Sequence, residues 1–190
     1  MKKFKTYLTM AIVALVSMTA FTSCDPDDDI AYDLDGIWRG TMYVYHDGHR
    51  ATESEIEFIS NGSFSSSGYG HWVDYYDRGY WGGYDYIYND IRWSVNNGVI
   101  HVHFVQENTD IFIESYTLTN RYFDGIINDS GNYIDFRLNR VTAPRRGSWD
   151  NYDDWYGDYY YGYYYSKGKK PTTDSIPQRP VRTIGAPEKK

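Results

Sequence analysis

The feature that most constrains the fold is a run of short stretches in which apolar and polar residues alternate, separated by tight turns. In residues 91–95 the apolar side chains occupy every second position, and residues 99–105 repeat the pattern after Asn97-Gly98. Alternation of this kind predicts half-buried β-strands, and Asn-Gly between two of them predicts a type I′ hairpin. Three further stretches of the same kind follow, at residues 110–118, 121–127 and 133–138. The sequence therefore predicts an antiparallel meander.

The preceding residues extend this meander toward the N-terminus. Ile37–Tyr45 is a plausible first strand, residues 54–60 alternate in the same way, and Ser63–Tyr69 is expected to pair back after Asn61-Gly62. Residues 69–90 are less regular and fit either two strands or a long aromatic loop.

About eight strands with one apolar face close most economically into an up-and-down barrel, because closure leaves no free edge. We therefore predict an all-β, antiparallel barrel of about eight strands over residues 34–141, with an open sandwich as the alternative. Disordered segments are expected on both sides: a tether at residues 24–33 and a tail at residues 142–190.

Several short motifs resemble those of lipocalin-like domains found in Bacteroidetes lipoproteins. Gly36-Ile37-Trp38 is similar to the G-x-W signature of the lipocalin superfamily, and the resemblance covers residues 34–141. It implies that Trp38 is structural and packs across the closed end of the barrel. It also implies an interior that can enclose a small apolar ligand. The other matching motifs are Trp93 to Val95, Tyr116 to Leu118 and Phe123-Asp124-Gly125.

The N-terminus has the pattern of an export signal. Three lysines precede an apolar run from Leu8 to Phe21, and small residues lead to Cys24, which is the sole cysteine of the chain. A basic head, a short apolar run and a small-residue cleavage site are typical of a secretory signal peptide. The stretch resembles a bacterial lipoprotein signal, which implies that residues 1–23 are removed and that Cys24 is acylated. An ordinary secreted protein and an uncleaved membrane anchor are the alternatives.

Four aspartates follow the cysteine directly: Asp25, Asp27, Asp28 and Asp29. An acidic cluster at this position resembles the export signal of Bacteroidetes surface lipoproteins, although it could also be only a solvated tether. The resemblance implies an outer-membrane protein that is anchored by acyl chains and exposed at the cell surface.

Charge excludes some partners. Loss of residues 1–23 removes three lysines and no acid, so the formal net charge falls from -7 to -10. Binding to nucleic acid requires a basic footprint, so no nucleic-acid partner is expected.

The tail changes from Tyr/Asp/Gly-rich to basic and proline-bearing sequence near residue 167, without apolar periodicity. Asp174-Ser175-Ile176 within it resembles a short O-glycosylation motif, which makes Ser175 a candidate site.

Aromatic residues supply the candidate binding surface, because the chain contains 22 Tyr, 6 Trp and 8 Phe. Tyr and Trp offer rigid contact area, and aromatic faces stack on sugar rings. Residues 69–88, or the tail at 149–165, could form such a surface, but outward-facing tyrosines on a barrel are also ordinary. The predicted ligand-binding residues are Trp72, Tyr75, Tyr76, Tyr80, Trp81, Tyr84 and Tyr86.

Evidence for catalysis is weak in this sequence. His101 and His103 share one face of a strand and could bind zinc with a carboxylate, but the opposite face holds the apolar residues, so solvent exposure is expected. No nucleophile-elbow, P-loop or H-E-x-x-H motif occurs. Paired carboxylates for glycoside hydrolysis would have to come from Asp74, Asp77, Asp85 and Asp90.

We predict no catalytic residue, no metal site and no cofactor. The function predicted from sequence is a non-enzymatic binding or accessory module for a glycan, a small apolar ligand or a partner protein. A structural component of the cell envelope is the second hypothesis, and a glycan-directed hydrolase is the third.

Overall fold

The computed structural model describes residues 25–46, 49–76, 86–149 and 182–184. Its elements in chain order are α1 (Pro26–Leu34), β1 (Gly36–Thr41), β2 (Val44–His46), β3 (His49–Arg50), β4 (Glu53–Ser60), β5 (Ser67–Tyr75), β6 (Tyr86–Asn96), β7 (Val99–Phe104), β8 (Thr109–Leu118), β9 (Tyr122–Asp129), β10 (Asn132–Val141) and β11 (Arg182–Ile184).

Eight of these strands form a closed antiparallel barrel in the order β1-β10-β9-β8-β7-β6-β5-β4. The predicted all-β barrel is therefore confirmed. Closure depends on β1, in which Trp38 lies opposite Arg140 of β10 on one side and Ile56 of β4 on the other. The predicted hairpin at Asn97-Gly98 is also present, and both residues have the positive φ that such a turn requires.

The predicted first strand, Ile37–Tyr45, is wrong in its second half. β1 ends at Thr41, and Tyr43 adopts a φ of +50°. The chain therefore turns away from the barrel, and β2 pairs with β3 and β11 in a separate three-stranded sheet. This departure carries His46 to one end of the barrel.

Large side chains of the chain itself fill the barrel interior. Gly68 makes room for one of them, because a Cβ at that position would lie 2.6 Å from the ring of Trp93. The apolar alternation seen in the sequence thus corresponds to the inward face of each strand. The largest fully buried side chains are Trp38, Phe58, Trp72, Phe104 and Phe123.

Residues 26–34 form a helix, so the prediction of a disordered tether at 24–33 is wrong for this part of the chain. Asp25 caps the helix by accepting a hydrogen bond from the Asp27 amide at 3.1 Å, and Pro26 occupies the first turn. An aspartate at the N-cap, a proline in the first turn and further acidic residues in that turn all favour a helix N-terminus. Ala31 and Leu34 are buried, so α1 covers one end of the barrel.

Contacts at both ends of α1 fix it to the barrel. The carboxylate of Asp27 accepts hydrogen bonds from the backbone amides of Asn97 and Gly98, each at 2.8 Å. At the other end of the helix, the indole nitrogen of Trp38 donates to the Leu34 carbonyl at 2.7 Å, and the Arg140 guanidinium lies 4.5 Å from the Trp38 ring. Trp38 is thus buried beneath the helix, at the closed end of the barrel.

The C-terminal region is attached at two places within the described residues. Residues 142–149 follow β10 onto the outer face of the barrel, where the Arg145 amide donates to the Glu55 carboxylate at 3.0 Å. Farther along, β11 pairs antiparallel with β2, with Arg182 opposite His46. Residues 142–149 and 182–184 are therefore ordered, unlike the disordered tail predicted for this region. Among the described residues, no helix has the length and apolarity needed to cross a membrane.

Candidate functional site

A cluster of buried polar groups lies at the barrel end opposite α1, which we call the mouth. It is formed where β5 and β7 end and β4, β6 and β8 begin. Buried polar and charged groups are costly unless they are paired, so such a cluster is a site candidate. We call its members the mouth cluster: His46, Ser54, Trp72, Asp74, Asn89, Phe104, Glu107 and Arg182.

Asp74 lies at the centre of the mouth cluster and is fully buried. One carboxylate oxygen accepts hydrogen bonds from the Ser54 hydroxyl at 2.6 Å and the Trp72 indole at 2.9 Å. The other lies 2.9 Å from Nη2 of Arg182 and 3.4 Å from Nε2 of His46. Burial alone would raise the pKa of Asp74, but Arg182, His46 and Ser54 together hold it below its usual range.

Glu107, in the turn between β7 and β8, supplies the second carboxylate. It accepts hydrogen bonds from the Asn89 amide at 3.0 Å and from Nε of Arg182 at 3.1 Å. Its side chain is almost fully buried, with 7% exposed. Glu107 and Asp74 therefore approach the guanidinium of Arg182 from two directions.

Arg182 is the cationic partner of both carboxylates, and only 4% of its side chain is exposed. Its guanidinium carbon lies 4.0 Å from the ring centroid of Phe104 and 5.3 Å from that of Trp72. Burial would lower the pKa of Arg182, but the charges of Asp74 and Glu107 raise it, so the group stays protonated. Two carboxylates and two aromatic rings thus form a receptor for a guanidinium.

Local chain geometry explains how these residues meet. The positive φ of Tyr43 directs β2 across the mouth, and the register of β11 places Arg182 beside His46. Asp74 and Trp72 are two apart on β5, so both side chains point into the barrel. Barrel strands and one turn therefore build the guanidinium site, whereas Arg182, which fills it, comes from a distant segment of the chain.

The mouth cluster contains Ser, His and Asp, but not in the order of a nucleophilic triad. Asp74 lies between the other two, so the Ser54 hydroxyl donates to the carboxylate. Activation of a serine requires its hydroxyl to contact the base. The arrangement fits binding of a cation better than nucleophilic catalysis.

The described members of the predicted aromatic binding surface are not exposed, because all four are buried. Trp72 points into the barrel and belongs to the mouth cluster, and Tyr76 lies beside His46 with ring centroids 5.7 Å apart. Burial raises the pKa of Tyr76, and the charge of Asp74 raises it further. Tyr75 and Tyr86 pack on the outer face with Val73 and Tyr88. The other predicted members, Tyr80, Trp81 and Tyr84, lie outside the described residues.

The outer tyrosines are covered by the chain segment that follows β10. Guanidinium groups of Arg145 and Arg146 lie 4.4 Å from the Tyr75 ring and 4.5 Å from the Tyr86 ring, respectively. Trp149 stacks on His71 with ring centroids 5.2 Å apart. Sequence composition did not indicate this cover, because the covering residues are distant in the chain.

His101 and His103 face solvent, as predicted. Both approach the carboxylate of Asp110 on the neighbouring strand, at 2.7 and 3.0 Å. Burial would raise the pKa of Asp110, but these two histidines hold it below its usual range. Within the described part of the chain, no group of His, Cys, Asp or Glu has the geometry to hold a metal ion.

The remaining sequence candidates do not converge on one site. Asp74 points into the barrel, whereas Asp90 lies on the outer face opposite His71. Asp77 and Asp85, like Cys24 and Ser175, lie outside the described residues. The four aspartates after Cys24 belong to α1 and its cap.

Sequence reasoning missed His46, Glu107 and Arg182 as site residues. No local pattern marks them, because each comes from a short segment between or beyond the regular barrel strands.

Comparisons with known proteins identify no relative. No protein family matches this chain, and no curated protein matches it. Among solved structures, the chain is similar to a redesigned beta barrel, with 13% identical residues and a TM-score of 0.38. The similarity covers 59% of this chain and 94% of the other one. Functional inference therefore depends on the geometry of the mouth.

Proposed function

We propose that the chain is a lipid-anchored outer-membrane protein of the Bacteroidetes lipoprotein type, with a lipocalin-like barrel that binds a partner protein outside the cell. Its activity is binding rather than catalysis. The observation that carries this proposal is the buried charge cluster at the mouth, where Asp74 and Glu107 meet a cation that enters from outside the barrel strands.

The position of α1 supports an outward-facing mouth. Cys24 directly precedes Asp25, the N-cap of α1, and adjacent Cα atoms are only about 3.8 Å apart. Acyl chains on Cys24 would therefore hold the α1 end close to the membrane. β6 has eleven residues. At about 3.3 Å per residue and a tilt of about 40°, the barrel is about 28 Å high. The mouth would face the medium at that height.

The filled interior favours a protein partner over a small apolar ligand. Trp38, Trp72 and Phe104 occupy space that a guest would need. The closed, charged mouth is also a poor entrance for an apolar molecule, because its paired groups would have to separate without new polar partners. A protein partner can instead supply charged and polar groups that replace the contacts broken at the mouth.

Labelling of single cysteines on intact cells tests this proposal. An acylated Cys24 has no free thiol, so Ser130→Cys would introduce the only reactive one, in the exposed turn at the mouth end. Ser63→Cys is the matched control, in the exposed turn between β4 and β5 at the α1 end. A membrane-impermeant maleimide should label Ser130→Cys on intact cells, and Ser63→Cys more slowly. Labelling of Ser130→Cys only after lysis would place the protein inside the cell envelope. Equal labelling rates for the two variants would contradict the orientation.

A further inference from the structure

The guanidinium site at the mouth is complete without the strand that fills it. Asp74, Trp72 and Phe104 lie on the barrel strands, and Glu107 lies in the turn between two of them. These four side chains are buried, and Ser54 and Asn89 orient the two carboxylates by hydrogen bonds at 2.6 and 3.0 Å. The receptor is thus preorganised by the barrel, and Arg182 behaves as a ligand supplied in cis.

Apart from the mouth contacts, a short strand pairing holds the cis ligand within the described residues. There β11 has three residues and pairs with β2, which has three residues itself. Strands of this length contribute little on their own, and a buried ion pair is only weakly stabilising after the cost of desolvation. Exchange of this strand for another is therefore energetically accessible.

The vacated site has two features that select its ligand. Departure of β11 would expose the edge of β2, and an exposed edge accepts an extended chain by main-chain hydrogen bonds. Beside that edge, Asp74 and Glu107 would require a cation that reaches both. Arginine fits because its guanidinium donates to Glu107 through Nε and forms an ion pair with Asp74 through Nη2, while its face lies on Phe104. Lysine offers a point charge and no flat face.

We propose that the mouth is a recognition site for an arginine side chain on an extended segment of a partner protein, and that the strand Arg182–Ile184 occupies it until the partner displaces it. This inference rests on the proposed function, since it names the partner chemistry for the same site. The chain would then be closed to partners in its resting state. Binding requires exchange of one arginine-bearing strand for another.

Peptide binding to the full chain carrying Arg182→Ala tests the inference. The probe is a peptide with the sequence of residues 180–186, PVRTIGA, compared with versions in which its arginine is lysine or alanine. Titration calorimetry should show that this variant binds the arginine peptide about ten-fold or more tightly than the unmodified chain does, because the cis ligand no longer competes. The lysine peptide should bind about ten-fold more weakly, and the alanine peptide should not bind, since charged hydrogen bonds of this kind control affinity.

Matched variants separate the site from general charge effects. Arg121→Ala removes the same charge from an exposed turn at the α1 end of the barrel and should behave like the unmodified chain. Adding Asp74→Asn to Arg182→Ala should abolish arginine-peptide binding. If Arg182→Ala does not fold, Thr183→Pro removes a backbone donor from β11 while keeping the arginine, and it should also raise peptide affinity. Equal binding of arginine and alanine peptides, or none by a folded variant, would overturn the inference.

The two proposals fail in different ways. Cysteine labelling that places the mouth outside, together with absent peptide binding, would reject the arginine site and leave an outward-facing binding module. Selective peptide binding with labelling only after lysis would uphold the arginine site and reject the surface location.

Discussion

Replacement of Asp27 by alanine should weaken the attachment of α1 to the barrel, although this residue lies in a segment that resembles an export signal. Its carboxylate accepts two backbone hydrogen bonds, from Asn97 and Gly98 at 2.8 Å each. It also lies in the first turn of the helix, where a negative charge is stabilising. The substitution therefore removes one local effect and one tertiary contact.

The expected magnitude follows from these two effects. Loss of a first-turn charge costs about 0.3–1 kcal/mol of helix stability. A hydrogen bond to a charged group contributes about 1.5–3 kcal/mol when it is buried, and less when it is partly exposed, as here. Loss of the two hydrogen bonds to the hairpin turn should therefore cost about 2 kcal/mol in total. Asp29 is exposed and lies in the same turn. Asp29→Ala should therefore lower the free energy of unfolding by the helix effect alone.

Urea unfolding followed by tryptophan fluorescence measures this difference. Both substitutions are made in a chain that lacks residues 1–23 and carries Cys24→Ser, so that acylation does not interfere. Asp27→Ala should be less stable than Asp29→Ala by about 2 kcal/mol, which corresponds to a melting temperature about 4–8 °C lower for a chain of this size. Equal stability of the two variants, with equal m-values, would refute the structural role of Asp27. In the full chain with Cys24 intact, both substitutions should also reduce surface display if the acidic cluster is an export signal.

Three further predictions concern the mouth and the core. Arg182→Ala should lower the free energy of unfolding by about 3–5 kcal/mol in urea titrations, because it removes the cation that pairs with the buried Asp74 and Glu107 carboxylates, whereas Arg121→Ala, in the exposed turn between β8 and β9, should change it by less than about 0.5 kcal/mol. The pKa of Asp74 is lowered in the folded state, so its contribution is complete above the unfolded pKa of about 3.9 and is lost as pH falls through the folded value. Thermal melts from pH 7 to 2 should therefore show a steeper acid loss in the unmodified chain than in Asp74→Asn. Gly68→Ala should destabilise the barrel by about 1–3 kcal/mol and change the near-ultraviolet circular dichroism, because its Cβ would lie 2.6 Å from the Trp93 ring; an unchanged spectrum would contradict the packing at that position.

Local signals were sufficient for the central strands of the barrel. Residues 91–95, 99–105 and 133–138 each place apolar side chains on one face, and the structure puts those faces inward. Asn97-Gly98 fixed the register of one hairpin because the turn type determines which residues face each other. Period-2 alternation is a local property, so it can be recognised without knowledge of the rest of the fold.

The helix α1 carries a local signal at its N-terminus but little apolar periodicity. Asp25-Pro26 followed by three aspartates is typical of a helix N-terminus. Only two of its residues, Ala31 and Leu34, are buried, so apolar periodicity was too weak to indicate a helix. The same aspartates directly follow Cys24, where an acidic cluster also resembles an export signal, and the two roles are compatible.

The mouth cluster had no local signal. Asp74 and Arg182 are separated by more than a hundred residues, and their contact depends on the turn at Tyr43 and on the pairing of β2 with β11. Aromatic composition was equally uninformative about exposure, because Tyr75 and Tyr86 are covered by Arg145 and Arg146 from a later segment. Long-range contacts of this kind require the fold before the site can be recognised.

Nuclear magnetic resonance of the Arg182 side chain is the most direct test of the closed mouth. With Arg182→Ala used to assign the signal, the Nε–H of Arg182 should exchange slowly with solvent, because it is buried against Glu107. Its side-chain protons should show nuclear Overhauser effects to Phe104 and ring-current shifts, since the guanidinium carbon lies 4.0 Å from that ring. A fast-exchanging Nε–H at the shift of a solvated arginine, with no contact to Phe104, would contradict the closed mouth and the guanidinium site built upon it.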